Sequence, residues 1–101
     1  METFIIEGLE LMQDDLPDTM SWDDAKAYAD ELGDGWRMPT NEEFATILKL
    51  FRLNVGGFKP ERYWANSSSG LVGWFHNMNV GYSPHLLNKF NTLRVRLVRT
   101  T

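Results

Sequence analysis

The chain has 101 residues, 43% of them apolar and 13% aromatic, which is enough for one modest core and leaves no room for a second domain. It contains no cysteine, which excludes a disulfide framework and a thiolate metal site and suits a reducing compartment. Net charge is -4 but lopsided: residues 1–50 hold thirteen acids against Lys26, Arg37 and Lys49, while residues 51–101 hold Glu61 alone against seven Lys and Arg.

Two readings of this asymmetry stand. An acidic helical layer could pair its charges with a basic strand layer inside the fold, or the basic half could face a polyanion such as nucleic acid or an acidic glycan. The basic residues are spread through strand-like sequence without a cluster, which favours internal pairing and argues against nucleic acid. The first twelve residues carry three acids and no base, unlike a secretory signal, and no apolar run is long enough to span a membrane. A soluble cytoplasmic protein, or a domain of something longer, is the expectation.

In chain order, Thr3 to Met12 reads as one or two short strands turning at Gly8. Asp14, Asp15, Pro17 and Asp18 read as a solvated acidic loop, without the glycine and distal glutamate that a calcium loop of the EF-hand type needs. Ser21 is an N-cap, and Trp22, Ala25, Ala29 and Leu32 recur at helical spacing, which predicts a helix over 22–32 ended by Gly33. Trp36-Arg37-Met38-Pro39 is extended, because a residue before proline is pushed out of the helical region. Thr40 and Glu43 form a capping box, and Phe44, Ile47, Leu48 and Phe51 give the stripe of a second helix that Asn54 to Gly57 ends.

After Lys59-Pro60 the period changes. Arg62 to Ser67 predicts a strand. Trp74, His76, Met78 and Val80 alternate as the inner face of another strand, with Phe75, Asn77 and Asn79 outside. Gly81 to Asn91 reads as a polar loop, and Leu93 to Thr100 as a last strand with Leu93, Val95 and Leu97 inward against Arg94 and Arg96.

Five short motifs in fixed order carry a resemblance. Ser21-Trp22-x-x-Ala25, then Gly35-Trp36-Arg37-Met38-Pro39-Thr40 with Glu43, then Tyr63-Trp64-Ala65-Asn66-Ser67, then Gly73-Trp74, and finally Val95-Arg96-Leu97-Val98-Arg99 span residues 20–100. The chain resembles a bacterial and phage family of C-type-lectin-like fold that includes the C-terminal domain of a collagen-like bacterial adhesin (the Lcl C-terminal family). That family is akin to the formylglycine-generating-enzyme group and to the variable proteins of diversity-generating retroelements.

The resemblance implies one α+β domain, two helices packed on a small, mostly antiparallel sheet, with later strands and loops as a display surface for a ligand. In the variable proteins the substitutions fall where this chain has roughly Tyr63 to Asn91. That stretch is rich in Asn, Ser, Tyr, Trp and Gly, a composition suited to adaptable binding surfaces. His76 departs from the resemblance, since the corresponding position is usually aliphatic.

The chemistry narrows the function. No Asp or Glu follows Glu61, so a calcium-mediated sugar site lacks carboxylates in these loops. His76 and His85 have no neighbouring acid or cysteine for a catalytic triad, and two histidines without further ligands make no metal site. The formylglycine-generating relatives use cysteine chemistry, which this chain cannot perform. The expectation is a non-enzymatic module without cofactor or metal, presenting Asn66, Ser68, Phe75, Asn77, Asn79, Tyr82, Ser83, His85 and Asn88 to a protein or glycan. Trp22, Trp36, Arg37, Thr40, Glu43, Trp64, Trp74, Arg96 and Arg99 are expected to build the scaffold. The alternative is a structural or assembly subunit, for example phage-related, that uses the same surface to form a homo-oligomer.

Overall fold

A computed structural model describes residues 2–101. Two helices and two three-stranded antiparallel sheets make an α+β fold. Strands β1 (Thr3–Ile6) and β2 (Leu9–Met12) form a hairpin whose turn residues Glu7 and Gly8 both have positive φ, 50° and 78°. That is the backbone a two-residue hairpin needs, and Gly8 supplies it without steric cost.

Helix α1 (Trp22–Leu32) keeps its sequence-predicted bounds. The Ser21 hydroxyl accepts from Asp24 N at 3.2 Å, Gly33 closes the helix at φ 65°, and Trp22, Ala25 and Ala29 are buried. Helix α2 (Glu43–Arg52) is preceded by the expected box: Glu43 Oε1 accepts from Thr40 N at 2.9 Å, and Thr40 Oγ1 accepts from Glu43 N at 3.2 Å. Phe44, Ile47 and Leu48 are its buried stripe.

The second sheet is β3 (Arg62–Ser69), β4 (Val72–Asn77) and β5 (His85–Asn88), with β4 central and β5 at an edge. A core cluster lies on each of its faces. Trp22, Trp36, Met38, Trp64, Phe75, Leu93, Val95 and Leu97 share one cluster, while Phe44, Ile47, Leu48, Tyr63, Ala65 and Met78 share the other. α1 therefore packs on one face and α2 on the opposite one. Gly73 makes the first contact possible, since a Cβ there would sit 2.6 Å from Trp22 Cδ1 and 3.1 Å from Trp64 Cζ3.

The closing segment joins the two sheets. Val98–Thr100 is β6, paired antiparallel with β2, while Leu93 bridges Met20 and Arg94 bridges Tyr63 in the other sheet. Arg37 exchanges both backbone hydrogen bonds with Val98, at 2.9 and 2.8 Å, so the Trp36–Pro39 stretch is pinned to β6.

Several expectations need correction. Because both faces of β4 are covered, alternation does not separate inside from outside: Phe75 is buried and Trp74 only half-buried. The strand stops at Asn77 and turns into a short 3-10 helix, Met78–Val80, leaving Val80 exposed. The 81–91 stretch contains β5. Arg96 is buried, because the segment that carries it is sandwiched between sheets, and Asp15 in the acidic loop is buried against it.

Candidate functional site

The motif residues are tied down by one another. Trp22 Nε1 donates to Ala65 O and Trp64 Nε1 to Met20 O, each at 2.9 Å, so both buried indoles are satisfied. Trp36 is buried beneath the Arg99 guanidinium, 4.5 Å from its ring, and Arg99 Nε donates to Glu10 Oε1 at 2.7 Å. Arg37 grips Glu43 with two bonds, 2.7 and 2.9 Å, and adds a third to Thr100 Oγ1 at 3.1 Å. Burial pushes the Glu43 carboxyl up, but hydrogen bonds from Arg37 and Thr40 outweigh it and hold the group below its ordinary range. Trp74 packs on the second cluster from the side.

Arg96 Nε donates to Asp15 Oδ1 at 2.9 Å, its Nη1 to the carbonyls of Met12 and Gly56, and its guanidinium lies 4.0 Å over the Phe58 ring. Tyr63 Oη completes the network by donating to Asp15 Oδ2 at 2.7 Å. Three charges from the basic half thus meet acids of the other half, Arg96 with Asp15, Arg99 with Glu10 and Lys89 with Asp23, while Arg94 pairs with Glu61 within its own half.

His76 is a core residue. Its ring stacks on Phe44 at 4.2 Å, and Nε2 lies 2.9 Å from Asn41 Oδ1. An amide oxygen only accepts, so Nε2 carries the proton and Nδ1, buried, keeps a lone pair with no partner. Burial pushes its pKa down to about 4, with a smaller contribution from His85.

The candidate surface residues fall into two groups. Ser68 and Asn88 lie at one end of the second sheet, beside the Gly73 and Val72 rows, and Asn66 is half-buried with its N–H on Pro39 O. At the other end Asn77, Asn79, Tyr82, Ser83 and His85 gather near the 3-10 helix. Asn77 Oδ1 accepts from Asn79 N, Asn79 Nδ2 donates to Pro60 O, and Ser83 Oγ is 3.1 Å from His85 Nε2. Phe75 is no surface residue; it forms the floor between Trp64 and His85 in adjacent strands.

A groove of about 350 Å³ opens at this end, and sequence reasoning missed four of its residues: Arg62, Val80, Leu86 and Leu87. The apolar pair Leu86-Leu87 inside an otherwise polar stretch was the available signal. A larger cavity, about 460 Å³, lies between Phe4 and the Val55–Gly57 loop, but Gln13 is its one polar side chain, so it has little with which to fix a ligand's orientation.

Ser83 and His85 resemble a nucleophile–base pair, but among the described residues no carboxylate bonds to His85 to orient it. No cluster of three metal-ligating side chains occurs among the described residues, and no helix there is long and apolar enough to cross a membrane.

Comparison with curated proteins gives no match. Residues 8–95 match the sulfatase-modifying factor enzyme 1-like domain, which lies in the C-type-lectin-like fold superfamily and whose family includes non-catalytic members. The match covers most of the chain, including α1, the Trp36–Thr40 segment, the second sheet and the Tyr63–Arg94 bridge. The chain belongs to the sulfatase-modifying factor enzyme 1-like domain family.

Proposed function

We propose that the chain is a non-enzymatic, calcium-independent binding module that presents the 63–91 region, chiefly Asn77 to Asn91, to a protein or glycan. The Gly35–Thr40 and Val95–Arg99 motifs support a kinship with the adhesin C-terminal domains and, beyond them, with the retroelement variable proteins. The observation that carries the reading is where the exposed apolar side chains fall. Of nine large ones among the described residues, Leu71, Val80, Tyr82, Leu86 and Phe90 lie within one 20-residue stretch. Val80 and Leu86 meet at the groove beside Asn77 and His85, while Leu71 and Phe90 stand toward the opposite end of the sheet. Apolar side chains brought together on one surface mark contact sites more often than isolated ones do. Here they alternate with Asn, Ser and His and stand on a sheet that core holds from both sides.

Two features weigh against chemistry. The chain has no cysteine for the oxidation that other members of the family perform, and it has no carboxylate beyond Glu61 for a calcium site. A second reading, a subunit that self-associates, draws on the same residues: β5 is an edge strand that carries exposed Leu86 and is followed by exposed Phe90.

Panning a random peptide library and a neutral glycan array in the presence of EDTA tests the proposal. Ligands should bind without calcium and lose about tenfold in affinity in a Tyr82→Ala/His85→Ala variant, as contact residues near the centre of an interface do. Binding that needs calcium, or that ignores both substitutions, would overturn it.

A further inference from the structure

We infer that the groove at the Arg62 end of the second sheet takes an extended peptide carrying a carboxylate two residues from an apolar side chain. The inference rests on the binding-module reading and names the ligand class for it.

Cross-strand partners share a face, so Arg62 with Asn77, and Trp64 with Phe75 and His85, all point to the side that α1 covers. The cover is partial. Trp22 lies over Gly73, at the far end of that face, and the end bearing Arg62, Asn77 and His85 remains open as the groove.

Charge selects the occupant. Arg62 is exposed, lies 5.5 Å over the Phe75 ring and, like Lys49, Arg52 and Lys59, makes no ion pair among the described residues; of these four it is the one that lines the groove. The nearest acid in sequence, Glu61, is held by Arg94 at 3.1 Å. No carboxylate lines the groove. A guanidinium beside hydrogen-bonding Asn77 and His85 fits a carboxylate, which an arginine can hold by two parallel bonds.

The walls select a peptide over a sugar. Val80, Leu86 and Leu87 are aliphatic, and Phe75, 8% exposed and covered by Arg62, offers no open ring for a sugar to stack on. Sugar hydroxyls would lose water against such walls without gaining partners, while a leucine-like side chain loses nothing polar. Side chains two apart in an extended chain share a face, so an apolar residue and an acid at that spacing reach the aliphatic wall and Arg62 together. β5, as the sheet edge, runs alongside the groove and leaves a lane for such a strand.

The test is an amide-shift titration of the ¹⁵N-labelled full chain with three probes: a Gly/Ser-flanked peptide carrying Leu-Ser-Asp, its Leu-Ser-Asn counterpart, and maltohexaose. The acidic peptide should give saturable shifts at Asn77, Val80, His85 and Leu87. Its affinity should fall about tenfold with Arg62→Gln, less with Arg62→Lys, and fall again between about 50 mM and about 500 mM salt. Equal binding of the neutral peptide, indifference to Arg62→Gln, or shifts elsewhere would overturn the inference. Should maltohexaose shift these amides while the peptides do not, the ligand class is wrong and the binding-module reading survives. If none of the probes shifts them, the inference falls, and the EDTA panning decides the wider reading independently.

Discussion

Asp15 and Arg96 face each other at 2.9 Å with their side chains 6% and 1% exposed, 81 residues apart in sequence, at the seam where the closing segment meets the first sheet. Arg96 also holds two carbonyls and Asp15 holds the Tyr63 hydroxyl, so removing either charge strands several groups. Asp15→Ala or Arg96→Ala should each cost about 3–5 kcal/mol in urea unfolding, because the remaining charge is left buried and unpaired. Asp15→Leu with Arg96→Met should recover much of that loss. Two single losses that simply add in the double variant would contradict a direct pair.

His76 sets a pH dependence with a definite sign. Its folded pKa is about 4, below the ordinary value of 6.5, so the unfolded chain takes up the proton first as pH falls. The stability His76 contributes is therefore complete above about pH 6.5 and is lost between there and about pH 4, up to about 3 kcal/mol. His76→Leu also removes the unpartnered Nδ1. It should flatten the stability profile over that window relative to the parent protein, and an unchanged profile would show that the imidazole does not titrate in this way.

Glu43, at the start of α2, has the same sign over a lower pH window. Its folded pKa is lowered, so its contribution is present above the unfolded carboxylate value and disappears as pH falls through the folded one. Glu43→Gln keeps part of the box but loses the two-bond pair with Arg37; a loss of about 1 kcal/mol, or roughly 4–8 °C in Tm, is expected at neutral pH and less in acid.

Gly73 tests the packing of α1 on the second sheet. Gly73→Ala should destabilise by about 1–3 kcal/mol and alter tryptophan fluorescence, since the methyl must displace Trp22 or Trp64. Unchanged stability and emission would mean that the two indoles are not packed on this glycine.

What could be read from the sequence was local. Ser21, Gly33 and the Thr40–Glu43 box delimit the helices because caps act within a turn, and the helical stripes of α1 and α2 point to core on one side only. Reading failed where burial comes from both sides. Phe75 and Arg96 sit in segments enclosed by two layers, and strict alternation assumes that one face is wet. β5 was hidden because four residues after Ser83-Pro84 carry too little pattern to outweigh their turn-like neighbours. The free Arg62 was likewise out of reach, since an unpaired cation can be recognised only after the other charges have found their partners.

The central claim is that the 77–91 surface is held free for a ligand, and light scattering on the eluting peak of a size-exclusion column tests it most directly. The expected result is a monomer of 11.7 kDa whose mass does not change on Leu86→Asp. A stable oligomer of the parent protein that Leu86→Asp dissociates would contradict the claim, since this surface would then be a subunit contact.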